Sequence, residues 1–356
     1  MTEFEINRTS PQPCAGITDG RALLDLARGW LQQGNTIVAT DLLKAATDSP
    51  EVEQDQGLRA RVLKESGRAH MMQSDWEAAE SFYVEAQHVF LSTDDAVGAA
   101  ECARNRANAH FQRGNYRQCE DLCQQALKWA TETSDYELRA TILNTLGAVR
   151  SATGDHAEAI KTFKLCLADF ESAGNALRQG YVLLNIGLAH TELGESANAI
   201  ESLNKALAIA LEVKDLGLVE ICYQNIASCY LAQNETLLAK SVIDTARKIL
   251  PGLNSKALET ELNLIDCRIL RVMGHFDAAF ELLSETQTQA EQGKLSALQG
   301  DVLFEQGLLE KLRGNNDIAL AKFDAAAGLF KQLGMDKKFQ EAVQSLANLK
   351  RKLNGG

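Results

Sequence analysis

The chain has little proline, four residues in 356, and little aromatic content, 6%. Together the two shortages argue against an all-β sandwich, and the first also against a proline-rich disordered chain. Basic excess is missing as well. The 48 acidic residues outnumber the 36 basic ones, giving a formal charge of −12. Nucleic acid and anionic membrane surfaces are therefore not expected partners. No apolar run reaches the roughly 18 residues needed to cross a bilayer. Met1 to Ile17 lack the basic and apolar segments of a secretory leader, so the reading is a cytoplasmic protein with reduced thiols. Motifs of hydrolases, P-loops, dinucleotide folds and zinc proteases are absent. Neither catalysis nor a cofactor is expected.

What is present is a repeat. The segment from Ser74 to Ala79 returns as Gly154 to Ala159 and as Gly194 to Ala199. A period of 40 holds along the chain. One column reads Gly34, Ser74, Gly114, Gly154, Gly194, Asn234, Gly274, Gly314. Five residues later a column reads Ala39, Ala79, Cys119, Ala159, Ala199, Ala239, Ala279, Ala319. Seven residues before the first column lie Ala27, Gly67, Ala107, Gly147, Gly187, Ala227, Cys267, Gly307. The first column suits a turn residue with positive φ between two helices. The apolar slots after it, such as Ala159, Phe163, Cys166 and Phe170, follow a helical 4, 3, 4 spacing. Each unit is thus a helix, a turn and an antiparallel helix. A single pair cannot bury its own stripe, whereas eight stacked pairs make one elongated core.

These columns resemble the tetratricopeptide repeat (TPR) family, whose usual period is about 34. The 40-residue form is similar to arrays of the LGN/Pins adaptor, kinesin light chain and bacterial Rap- and MalT-type proteins. The resemblance implies an all-α, right-handed α-solenoid of eight helix pairs with a concave groove lined by first helices. The expected organisation is a flexible tail over residues 1–18, eight repeats over 19–335, and a capping helix with its tail over 336–356. That last segment carries apolar residues at 3, 4, 3, 4 spacing and reads alternatively as the start of a coiled coil.

By the same resemblance, Arg21, Arg28, Arg61, Lys64, Arg68 and Arg104 fall on the concave side of repeats one to three, with Glu101 as the only acid. Arginine grips carboxylate or phosphate with a planar fork. The alternative is pairing with neighbours such as Glu65 and Asp25. Asn108, Asn144, Tyr181, Leu184, Leu188 and Gln224 follow along the groove, and Arg268 and Arg271 near its far end. Asn105, Asn185 and Asn225 share a column suited either to a peptide backbone or to a bond between repeats.

Seven cysteines, Cys102, Cys119, Cys123, Cys166, Cys222, Cys229 and Cys267, replace core residues, so they read as small hydrophobes and no metal is expected. His70, His110 and His190 share a column with Trp30 and Tyr230 and read as packing residues. Repeat seven has the poorest columns, with Asp266 where neighbours have Leu146, Ile186 or Ile226, and Thr286 in place of Ala. It is expected to open first, helped by Pro251 just before it.

The functional expectation is a non-catalytic adaptor that holds a protein or peptide, with an acidic segment docking on the basic slots. The alternative is a sensor module controlling an output enzyme or transcription factor. The sequence leaves partner and oligomeric state open.

Overall fold

The computed structural model describes residues 19–249 and 256–354. The expected amino-terminal tail, Cys14 and Pro251 lie outside the described residues. Among those described, every element is helical and there is no strand. The elements are α1 (Gly20–Gln32), α2 (Thr36–Thr47), α3 (Pro50–Gln54), α4 (Gln56–Met72), α5 (Trp76–Ser92), α6 (Ala96–Gln112), α7 (Tyr116–Thr131), α8 (Tyr136–Ala152) and α9 (His156–Ser172). They continue with α10 (Ala176–Glu192), α11 (Ser196–Val213), α12 (Leu216–Ala232), α13 (Thr236–Ile249), α14 (Lys256–Val272), α15 (Phe276–Gln292), α16 (Ser296–Leu312), α17 (Asn316–Gln332) and α18 (Asp336–Asn354).

Eight helix pairs account for all but α3 and α18. The extra α3 arises because Ser49 caps a new helix at Val52 N and Pro50 takes its first position, where a missing N–H costs nothing. The turn column behaves as its composition asks. All eight of its members, from Gly34 at φ 78° to Gly314 at 86°, are left-handed, including Ser74 at 59° and Asn234 at 62°. A second left-handed column, half a period away, closes the second helices: Asp94, Gly174, Lys214, Lys294 and Gly334. Its mixed residue types hide it from a reading by composition. The polar breaks also supply caps. Asp55, Asp95, Asp135 and Asp215 each accept the N–H three residues on, at 2.8–2.9 Å.

The small columns exist for close packing. Every member of the Ala39 column is fully buried. A Cβ on Gly67, Gly147 or Gly307 would lie 2.5–2.8 Å from the ring of Tyr83, Phe163 or Phe323. Burying each such ring stabilises the fold by about 1.5–3 kcal/mol, and the facing glycine is what lets the ring in.

The chain divides into two compact units between Ala189 and His190. In the first, Leu23, Leu42 and Leu58 centre one apolar cluster, Tyr83 and Phe90 a second, and Leu122, Ile142 and Leu146 a third. In the second unit, Leu264, Leu283 and Leu309 form one cluster. Phe330 and Ala342 bury one stretch of α18, and Phe323 and Leu349 another. The apolar stripe of α18 is thus covered by this chain itself as far as Leu349, and Leu353 is exposed.

The expected weakness of repeat seven has a different face in the structure. Asp266 is buried but paired with Lys240 and Arg247. Thr286 is buried with its hydroxyl donated to Leu282 O at 2.6 Å. Neither is an uncompensated defect.

Candidate functional site

First helices of consecutive repeats are stitched by side chains 37 residues apart. The spacing is one period less one helical turn, which brings side chains of successive first helices level with each other. In the first unit, Arg28 Nε donates to Glu65 Oε1 at 3.1 Å, Lys64 pairs with Glu101, and Thr145 Oγ1 donates to Asn108 Oδ1 at 3.2 Å. In the second unit, Gln224 reaches Glu261, Arg268 Nε donates to Glu305 Oε1 at 2.7 Å, and Lys338 holds Asp301 at 2.7 Å.

This ladder places the basic residues singled out from the sequence. Arg21 is paired with Glu51 at 2.9 Å and Asp55 at 3.0 Å. Arg28 adds Asp25, at 3.5 Å, to Glu65. Arg68 contacts the other oxygen of Glu65 at 3.4 Å. Glu101 is therefore not the only acid here: Glu65, buried, lies between two arginines. Pairing with neighbours accounts for Arg21, Arg28, Lys64 and Arg68. Arg61 is exposed and Arg104 half-buried, and neither has an ion pair among the described residues. Arg268 and Arg271 grip the two oxygens of buried Glu305, at 2.7 and 3.0 Å.

The amides divide. Asn185 Nδ2 donates to Asn144 Oδ1 at 3.3 Å, a bond between repeats. Asn225 Nδ2 returns to its own helix at Ile221 O, at 2.7 Å. Asn105 lines a cavity. Gln224 bridges Glu220 and Glu261. Burial, and then the neighbouring Glu261 carboxylate, pushes Glu220 up to about 7. Leu184, expected on the groove, is only 6% exposed. Leu188, one turn on, is exposed.

Two of the first unit's cavities are lined by these residues. The larger, about 560 Å³, is walled by Lys64, Glu65, Arg68, Glu101, Arg104 and Asn105, with Met71, Met72, Trp76 and Tyr83 as its apolar part. The smaller, about 210 Å³, is lined by Arg104, Asn108, Thr141, Asn144, Thr145, Arg178 and Tyr181, with Phe170 and Val182. Arg104 belongs to both. Its Nε is cut off from solvent and has no hydrogen-bond partner. Burial pulls its pKa down, but a guanidinium stays charged at neutral pH. An orphaned buried donor of this kind costs about 1–3 kcal/mol or more. The sequence pointed to Arg104 among six equals, and missed Arg178 because it lies outside the resemblance-derived slots.

The seven cysteines are free and buried. Burial raises the thiols of Cys102, Cys166, Cys222 and Cys267 to about 12, so they are poor nucleophiles. Among the described residues no cluster of three metal-ligating side chains forms. The histidine column does more than pack. His70 Nδ1 meets the helix-capping Asp75 at 3.1 Å while stacking on Phe82, and His190 meets Glu195 at 2.7 Å. No described helix is long and apolar enough to cross a membrane.

Comparison with known proteins agrees with this architecture. Tetratricopeptide repeat family models match residues 98–172 and 181–212. A kinesin light chain-related protein of Arabidopsis thaliana is 25% identical over 270 residues, 71% of this chain. The chain spans 40% of the length of that curated relative. Among solved structures, aspartyl phosphate phosphatase F of Bacillus subtilis superposes with a TM-score of 0.59 at 15% identity, covering 99% of this chain and 95% of that one. A signal transduction ATPase with a TPR sensor, from Pyrococcus horikoshii, gives 0.67 at 15% identity, covering 80% of this chain and 44% of that one. A Rap protein complexed with competence and sporulation factor gives 0.53 at 16% identity, covering 94% and 98%. At these identities the structures share the fold. The chain carries tetratricopeptide repeats, in an all-α array resembling those of the kinesin light chain and Rap proteins.

Proposed function

We propose that this protein is a non-catalytic, cytoplasmic adaptor whose first helices hold an extended segment of a protein partner. The observation that carries the reading is the 560 Å³ cavity on α4 and α6. Its wall combines fixed charges with an apolar patch, the combination that orients a peptide and anchors its side chains. Lys64 and Arg68 already have carboxylate partners, so an acidic segment is drawn by the free charges of Arg61 and Arg104. Neutral and apolar slots such as Leu188 would take an apolar side chain. The likeness to a Rap protein solved with a factor bound is consistent with ligand capture by such an array.

The test is affinity capture with the wild-type chain and with Arg61→Glu combined with Arg68→Glu, followed by titration of the captured partner. The double change should weaken binding sharply and remove its weakening by salt. Retention at unchanged affinity would move binding away from these helices. A sensor role is the second reading, favoured by the likeness to the TPR sensor of the Pyrococcus horikoshii ATPase. It requires an output protein whose activity changes when the groove is filled.

A further inference from the structure

Arg104 is an unfinished rung of the 37-residue ladder. Arg28, Lys64 and Arg268 each find a carboxylate 37 residues on, at Glu65, Glu101 and Glu305. The residue 37 after Arg104 is Thr141, which supplies no charge. Thr141 lines the 210 Å³ cavity together with Arg104. Across that cavity stands Arg178, whose side chain has no carboxylate partner among the described residues. Arg104 feels its charge, and more strongly that of Glu101, which lines the larger cavity and not this one. No Asp or Glu lines the cavity.

The neutral groups there are turned the same way. Asn108 has its Oδ1 occupied by Thr145, and Asn144 has its Oδ1 occupied by Asn185. Each acceptor is engaged once inside the protein, and each Nδ2 remains a donor. The cavity thus offers two guanidiniums and two amide N–H₂ groups against no anion. Arg104 Nε is buried without a partner, which leaves this guanidinium under-satisfied inside the protein.

We propose that this cavity is a seat for a phosphate monoester carried by the protein partner. Two positive charges without a carboxylate in the wall match the charge of about −1.5 to −2 on a phosphoryl group, and four donor-bearing side chains lining one cavity suit its three acceptor oxygens. A single carboxylate would leave one guanidinium uncompensated. The volume of about 210 Å³ admits one such head group with the first carbons of its side chain. For the source of the phosphate the proposal rests on the groove reading. The seat itself can be tested without a partner.

The probes are inorganic phosphate, O-phosphoserine and glutarate, titrated calorimetrically into the full chain in a phosphate-free, low-salt buffer. Inorganic phosphate and O-phosphoserine should bind saturably and more tightly than glutarate. Arg104→Gln should weaken them about tenfold or more. Thr141→Glu should complete the rung, abolish anion binding and leave the melting temperature equal or higher. Arg178→Gln changes an exposed side chain, so it should fold normally and still lose affinity; Lys331→Gln, exposed and no part of the cavity wall, should change nothing. Absence of saturable binding to the wild type, preference for glutarate, or indifference to Thr141→Glu and Arg178→Gln would each overturn the seat. Phosphatase treatment of the lysate should abolish partner capture. Capture that survives it overturns the phosphoprotein source, and phosphate binding without any captured partner sinks the groove reading alone.

Discussion

Arg106 on α6 and Asp266 on α14 occupy the same register four periods apart, one in each unit, with opposite charge. Arg106 donates to Glu80 at 2.9 Å and to Gln87 at 2.8 Å. Asp266 takes Lys240 at 3.1 Å and Arg247. The partners sit 26 and 19 residues upstream in both cases, on the preceding second helix. In these two repeats the position brings a polar centre to two partners and leaves its sign free. Gln306 repeats the node only in part, donating to Gln287 at 2.8 Å, again 19 residues upstream, while its Oε1 is buried without a partner.

The two nodes differ in depth of commitment. Asp266 carries a full charge at 6% exposure and depends on two cations. Asp266→Ala should therefore be the most damaging change at either node, by about 2–4 kcal/mol, because it leaves Arg247 half-buried without a counter-charge. Arg106→Leu should cost less, about 1–2 kcal/mol, since Gln87 is neutral and Glu80, more exposed than Asp266, keeps His110 beside it at 3.6 Å. Chemical denaturation of each variant reads both. The comparison sharpens with a transplant: Asp266→Arg, Lys240→Glu and Arg247→Gln copy the first unit's node into the second. If geometry alone governs the node, the triple variant should regain most of the loss that Asp266→Arg alone inflicts. A triple variant no more stable than the single one would show that the signs matter after all.

The same nodes explain what the sequence could and could not disclose. The 40-residue columns gave the helix pairs, the turns and the buried cysteines, because those columns are chemically uniform. Asp266 looked like a flaw, because a column read alone compares it with Leu146, Ile186 and Ile226. A second column 19 residues upstream resolves it. Leu127, Leu167 and Leu207 precede the apolar members, whereas Gln87, Arg247 and Gln287 precede the polar ones. The signal was in the chain, as a relation between columns. At the groove the limit was similar. Six basic slots looked alike until the 37-residue spacing separated Arg104, followed by Thr141, from Arg28 and Lys64, followed by glutamates. The burial of Leu184 was not legible, since its neighbours come from other helices.

A pH dependence follows from another rung of the second unit. Gln224 must serve Glu220 and Glu261 with one amide, so two carboxylates share too few donors. Glu220 is raised from 4.5 to about 7, chiefly by burial. A carboxyl whose folded pKa lies above its unfolded one stabilises the fold when protonated. Its contribution is therefore complete below about pH 4.5 and is lost as pH rises through 7. After screening of a half-exposed pair the change should be about 1 kcal/mol. Glu220→Gln should flatten stability against pH between those limits; an unchanged profile would remove the carboxylate pair as its cause.

The smallest expected effect also compares the units, through their helix starts. In the first unit Asp55, Asp75, Asp95, Asp135 and Asp155 each accept a hydrogen bond from the first turn that follows. In the second unit α12 keeps such a cap at Asp215, but α11, α15, α16 and α17 begin at Glu195, His275, Leu295 and Asn315 with no such side-chain bond, as α7 does at Asn115 in the first. An uncapped helix leaves its first N–H groups to water and forgoes the attraction between a carboxylate and the positive helix end. His275 is exposed and stands in the column that Asp75 and Asp155 occupy. His275→Asp should therefore install the first unit's cap in the second, stabilising it by about 0.5–1 kcal/mol. The gain should be confined to α15 and its neighbours, slowing amide exchange over residues 276–279 before any shift in global melting is resolved. Equal exchange in both proteins would mean that water already satisfies this helix end, and that the sparse capping of the second unit carries no stability difference.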